Sequence, residues 1–165
     1  MTEATLHPDG RLILDGRQWR AALGRAGIRL HKQEGDEATP AGLLPLRRVL
    51  FRADRLALPR SAALREPLSP DDGWCDDPHD RAYNTRVTLP HPARHERLWR
   101  DDPLYDVIGV LGWNDAPVSR HAGSAIFLHV ATRDLAPTAG CIALAAPDLL
   151  ALLAAGLTAI RVMPG

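Results

Sequence analysis

The sequence predicts a mainly β fold of the α+β type with one or two short helices. Fourteen prolines and thirteen glycines interrupt the chain too often for long helices. Its strongest apolar runs, Asp106–Trp113 and Ser124–Val130, have the length and continuity of central strands. The best helix signal is Pro147–Ala155, with proline in the first turn and Gly156 as its stop.

Taken in order, Ala4–His7 and Arg11–Leu14 flank Pro8-Asp9-Gly10, the pattern of a hairpin. Short strands are expected over Arg20–Leu23, ended by Gly24, and over Ile28–His31. Leu46–Leu58 alternates imperfectly and reads as strand with a bend. Pro59–Pro92 is broken by prolines and carries the acidic run Asp71–Asp77, so it reads as one long functional loop. Cys141–Leu144 is a short strand, and Thr158–Met163 a final one. No repeat or low-complexity tract interrupts this order. A length of 165 residues predicts a single domain, residues 1–165, large enough to fold without a disulfide or metal staple.

Twenty basic and twenty acidic side chains cancel, and Lys32 is the sole lysine. A neutral chain lacks the electrostatic footprint for nucleic acid or an anionic membrane, and neither is expected as a partner. The segment Met1–Gly10 has neither a basic region nor an apolar one, so no signal peptide is read there and a cytoplasmic location is expected. Two cysteines, Cys75 and Cys141, are too few for a disulfide framework.

The densest chemistry lies between His129 and Ala143. His129 falls near the end of an apolar strand, and Gly140 places Cys141 at the mouth of another. A cysteine nucleophile works as thiolate and needs a base to form it, and a histidine on the neighbouring strand is the commonest choice. Glycine before it lets a substrate carbonyl approach the backbone, where the amides of Gly140 and Cys141 are suited to face an oxyanion. From spacing alone a second reading stands beside this one, in which cysteine is core and histidine a hydrogen-bonded structural residue.

Thr138, Gly140, Cys141 and Ile142 resemble the Ser/Thr-His-Gly-Cys-apolar signature of the L,D-transpeptidase catalytic domain, the YkuD-like family, which follows a strand-borne histidine. Upstream, Lys32–Gly42 is similar to that family's Lys-x-x-Gly-Asp-x-x-Thr-Pro-x-Gly segment, with Lys32, Gly35, Asp36, Thr39, Pro40 and Gly42 matching. Ala139 stands where the family has histidine, Ala143 where it has Arg or Asn, and Val130 where it often has glycine, marking a divergent branch.

The resemblance implies an L,D-transpeptidase-type β-sandwich or barrel and a peptidoglycan tetrapeptide or muropeptide as substrate. Cys141 would attack the carbonyl before the terminal D-Ala, His129 would serve as base, and the Val130 carbonyl would orient the imidazole. Carbapenems would acylate the same cysteine. Without a signal peptide, L,D-carboxypeptidase action on recycled tetrapeptides is expected, ahead of 3–3 cross-linking or D-amino-acid exchange. Substrate contacts are assigned to Asn84 and Arg100, with Tyr83 and Thr138 beside them. Trp74, Asp76, Asp77, Arg86, Glu96, Trp99 and Asp102 read as loop hydrogen bonds and ion pairs, and Lys32 and Thr39 as residues that order the turn at Pro40. No metal or cofactor is assigned. Two readings of other classes remain: a non-catalytic peptidoglycan-binding module, and a zinc protein drawing on Cys75, His79, His121, His129 and Cys141.

Overall fold

The computed structural model describes residues Met1–Gly165. In chain order its elements are β1 (Glu3–Leu6), β2 (Arg11–Leu14), β3 (Arg17–Arg20), β4 (Ile28–Arg29), β5 (Thr39–Pro40), β6 (Gly42–Phe51), β7 (Leu64–Pro67), β8 (Asp72–Cys75), β9 (Arg86–Thr88), β10 (His95–Arg97), β11 (Val107–Leu111), β12 (Phe127–Val130), β13 (Ile142–Leu144), α1 (Ala146–Ala154) and β14 (Ala159–Val162). The mainly β expectation holds, with one short helix.

The main sheet has nine strands, in the order β13-β12-β11-β6-β14-β1-β2-β3, with β7 also on β6. Ten-residue β6 is its spine: residues 42–45 pair with β14, and residues 46–51 pair with β11. Its two ends meet. Ala22 exchanges backbone hydrogen bonds with Ala143 at 2.8 and 3.0 Å, and Thr138 bonds to Leu23 and Arg25 at 2.8 Å. This seam turns the sheet into a nearly closed barrel. It also accounts for the expected strand at Arg20–Leu23: β3 stops at Arg20, and the following residues contribute isolated bridges.

Strand alternation sends side chains of β11 and β12 to two separate layers. Val107, Leu111, Leu128 and Val130 join the main core with Leu149, Leu152 and Leu153 of α1. Ile108, Val110 and Phe127 face the other way, into a second cluster with Leu50, Leu68, Leu98 and Tyr105. Burial on both faces is why these strands read as continuous apolar runs.

Over the second cluster lies a three-stranded sheet in the order β10-β8-β9. Trp74 of β8 meets Phe127 edge-on at 5.1 Å. Arg86 of β9 clamps Asp72 through two bonds of 3.1 and 2.7 Å and reaches Glu66 of β7 at 2.8 Å. The expected long loop Pro59–Pro92 is thus corrected: it contains β7, β8 and β9. Their three or four residues are too short to leave an alternating pattern among the prolines. Likewise β6 begins at Gly42 and ends at Phe51, earlier at both ends than the expected Leu46–Leu58.

Ile160 lies in β14 between β1 and β6 and is fully buried, whereas Leu43 of β6 is exposed. Ile160→Ala should lower unfolding free energy by about 2–5 kcal/mol, and Leu43→Ala by no more than about 0.5 kcal/mol. Urea denaturation of both variants checks the pair.

Candidate active site

The turn before Cys141 is built from hydroxyls. Thr138 Oγ1 accepts the Gly140 amide at 3.1 Å and donates to the Cys141 carbonyl at 2.6 Å. Thr39 Oγ1 donates to the Gly140 carbonyl at 2.9 Å and accepts the Gly24 amide at 2.9 Å. Gly140 has φ +138°, and a Cβ there would stand 2.8 Å from the Ala38 carbonyl oxygen. Glycine is therefore required on both conformational and steric grounds. Thr39 is aimed by its own segment, in which Lys32 and Asp36 form a buried ion pair at 2.5 Å and Asp36 caps the Gln33 and Ala38 amides. The two sequence segments thus meet in space. The Gly140 amide is spent on Thr138, which engages one of the two amides expected to face an oxyanion.

His129 follows Phe127 by two residues, so alternation turns it away from the main core towards Tyr105, whose ring stands edge-on at 5.3 Å. Its Nδ1 lies 2.9 Å from the Val130 carbonyl. A carbonyl only accepts, so Nδ1 carries the hydrogen and Nε2 is left as the acceptor of a neutral ring. Burial pushes His129 below the ordinary histidine value, against the pull of the Val130 carbonyl. The imidazole is held neutral.

Parallel register pairs Leu128 with Ile142 and His129 with Ala143, which sets Cys141 level with Phe127. The thiol donates to the Ala125 carbonyl at 3.2 Å, and its sulfur accepts the Phe127 amide at 3.4 Å. Burial, reinforced by the nearby Glu96 carboxylate, pushes Cys141 up to about 12. The resting pair is a thiol and a neutral imidazole. Both line one cleft of about 460 Å³.

The lining of the cleft is mixed: Ala131, Ala136, Pro137, Ala139 and Ala143 are small and apolar, and Glu34, Glu37, Asp76, Glu96 and Arg100 bring charge. Glu96, from β10, is half-buried and is held above the usual carboxylate range by desolvation, and it accepts a hydrogen bond from Tyr105. Glu34 accepts from Tyr83 at 2.8 Å and from Ser124 at 2.5 Å.

Of the expected substrate contacts, Arg100 and Thr138 line the cleft, with Arg100 bonded to Asp102 at 2.9 and 2.6 Å. Asn84 and Tyr83 do not. Asn84 donates to the Trp113 and Asn114 carbonyls at 2.9 and 2.8 Å and accepts from Trp74 Nε1 and the Ala125 amide at 3.0 and 3.1 Å. Every polar atom of its side chain is occupied, so it positions Ala125, the partner of the thiol. Tyr83 OH is likewise spent between Glu34 and the Gly123 amide, which it accepts at 3.0 Å. Tyr105 escaped sequence reasoning, since a tyrosine ahead of an apolar strand carries no signal of its own. The set Cys75, His79, His121, His129 and Cys141 does not converge. His79 and His121 meet edge-on at 5.2 Å, His129 and Cys141 share the cleft, and Cys75 is buried in the small sheet.

The family model for the L,D-transpeptidase catalytic domain matches residues 3–161. An L,D-transpeptidase from Mycobacterium smegmatis aligns at 14% identity and TM-score 0.44, covering 99% of this chain and 58% of that one. Mycobacterium tuberculosis L,D-transpeptidase 1 aligns at 12% identity and TM-score 0.40, covering 99% of this chain and 61% of that one. The chain therefore spans about three fifths of the length of these solved structures. No curated protein matches it in sequence.

Asn84→Ala should cost about 2 kcal/mol or more, because it strips the acceptor from two buried donors, while Arg100→Ala stays within about 1 kcal/mol. Denaturant midpoints test this. Iodoacetamide labelling of Cys141 should rise without a plateau between about pH 7 and 10. Glu96→Gln, by removing a charge that disfavours thiolate, should speed labelling at fixed pH.

Proposed function

We propose, from the premise that this chain belongs to the L,D-transpeptidase catalytic-domain family, that it cleaves the bond before the terminal D-Ala of peptidoglycan stem tetrapeptides through a Cys141 thioester. The observation that carries this reading is the neutral imidazole of His129, its Nε2 free, lining the same cleft as the thiol.

His129 Nε2 takes the thiol proton as sulfur attacks the carbonyl carbon, so the buried thiolate never has to exist alone. The Phe127 amide, already directed at the sulfur, stabilises the charge that develops there. When the C–N bond breaks, the imidazolium returns its proton to the leaving amine of D-Ala. Water, deprotonated by His129, then attacks the thioester carbonyl. The C–S bond breaks and the proton returns to sulfur. Val130, through its carbonyl, keeps the ring in one tautomer throughout.

Water is the first-choice acceptor because Ala139 and Ala143, small and apolar in the cleft lining, offer no side-chain group to hold a second stem peptide beside Cys141. The product is a tripeptide, which fits the trimming of peptidoglycan turnover fragments. Among the charged residues of the lining, Arg100 suits the D-Ala carboxylate and the carboxylates suit the ammonium of a diamino acid. The same carboxylates would attract an amine acceptor, which favours transpeptidation or D-amino-acid exchange as the second reading.

Cys141→Ala should abolish release of D-Ala from tetrapeptide muropeptides, and His129→Asn should lower kcat by about a hundredfold or more. Mass analysis of the products, with and without an amine acceptor, separates tripeptide from exchanged or cross-linked products. An active Cys141→Ala protein overturns the assignment. Wild-type protein should gain one carbapenem adduct in intact-mass spectra, and Cys141→Ala none. The pH profile of kcat/KM should lose activity only on the acid side, below the ordinary histidine value of 6.5, as the depressed His129 gains the proton that disables it as a base. No alkaline limb is expected near neutrality, because the thiol titrates only at about 12.

A further inference from the structure

Away from the cleft, Cys75, Asp80 and His91 bring a thiol, a carboxylate and an imidazole together beside the small sheet. Cys75 Sγ lies 3.8 Å from Asp80 Oδ1, and His91 Nε2 lies 3.6 Å from the same oxygen. All three ligand atoms fall within 4.8 Å of one another. Cys75 is fully buried, and His91 Nε2 is a buried nitrogen with no hydrogen-bond partner.

The thiol contact is a weak hydrogen bond and the imidazole separation is too long for one. Both lie a few tenths of an ångström outside the edges of a tetrahedron around zinc, where bonds of about 2.3 Å to sulfur and 2.0–2.1 Å to nitrogen and oxygen place adjacent ligand atoms about 3.4–3.6 Å apart. A small inward shift of the side chains would seat the ion. We infer that Cys75, Asp80 and His91 form a binding site for a zinc-class divalent cation, distinct from the Cys141 cleft. Thiolate with imidazole selects zinc-like ions over magnesium or calcium. The charges balance, since the cation displaces the Cys75 proton into solvent and the resulting thiolate and the Asp80 carboxylate together neutralise it. The carboxylates of Asp76 and Asp77, on the same stretch of chain, add to the negative potential that draws a cation. Solvent completes the fourth position.

The ligands come from three separate pieces of chain: the end of β8, the turn at Asp80 and the segment leading into β10. Those pieces carry Asp76 and Glu96 to the rim of the cleft. The ion would brace that rim without meeting the substrate.

The test uses the purified full chain, stripped with a chelator and titrated with Zn²⁺ against a chromophoric competitor, then with Co²⁺ read by absorption. Wild type should take up one equivalent and show a thiolate-to-cobalt charge-transfer band. Cys75→Ser should lose the band, His91→Ala should weaken Zn²⁺ binding by at least about tenfold, and Cys141→Ala should change neither. Should Cys75→Ser fail to fold, as circular dichroism would reveal, His91→Ala at its less buried position decides. Absence of the band in wild type, unaltered Zn²⁺ affinity in His91→Ala, or a band that disappears with Cys141→Ala overturns the inference.

Discussion

The hydroxyl of Thr39 occupies the place where the two halves of the molecule meet. It accepts from Gly24 beside the seam of the barrel and donates to Gly140 in the turn that presents Cys141. Both bonds are buried, so losing either would leave a polar group without water to replace its partner. The chain around Thr39 is fixed in turn by the Lys32–Asp36 pair, a buried charge pair that has value because Asp36 also caps two amides. The closed barrel, the positive φ of Gly140 and the height of the cysteine on its strand all rest on this contact. It explains why chemistry near residue 140 depends on a segment near residue 36.

Strand parity then separates stability from chemistry. Leu128 and Val130 supply the main core, while Phe127 and His129, one residue out of phase, face the layer beneath the small sheet. Burial there does two things at once: it lowers the affinity of His129 for a proton and raises that of Cys141. The site rests uncharged at its centre, against a rim of carboxylates. Charge at the centre is deferred until a carbonyl arrives to receive the sulfur.

Much of this was legible in the residues. The first hairpin, the helix from Pro147 and the strands β11 to β14 follow from periodicity and punctuation, while Cys141, His129 and Gly140 stand out by spacing together with the resemblance to the L,D-transpeptidase signature. The small sheet was not legible, because strands of three or four residues paired only with one another show no alternation among prolines. Asn84 reads as a substrate contact, a role its place outside the cleft does not allow. Its actual work is to accept the Ala125 amide while three further hydrogen bonds fix its side chain, and it depends on Trp74, Trp113 and Asn114 arriving from distant segments. Tyr105 and the pairing of Cys75 with His91 are likewise products of topology and leave no local trace.

The position of β14 governs how this molecule can be made. It lies between β1 and β6, paired in parallel with the first and antiparallel to the second. Both neighbours are synthesised long before it, yet neither touches the other in the finished sheet. On the ribosome, the hairpin of β1 and β2 and the spine β6 therefore wait as unjoined edges until residues 159–162 emerge. The barrel assembles after translation of this segment, by a closure that links the most distant parts of the chain, the kind of topology that folds slowly.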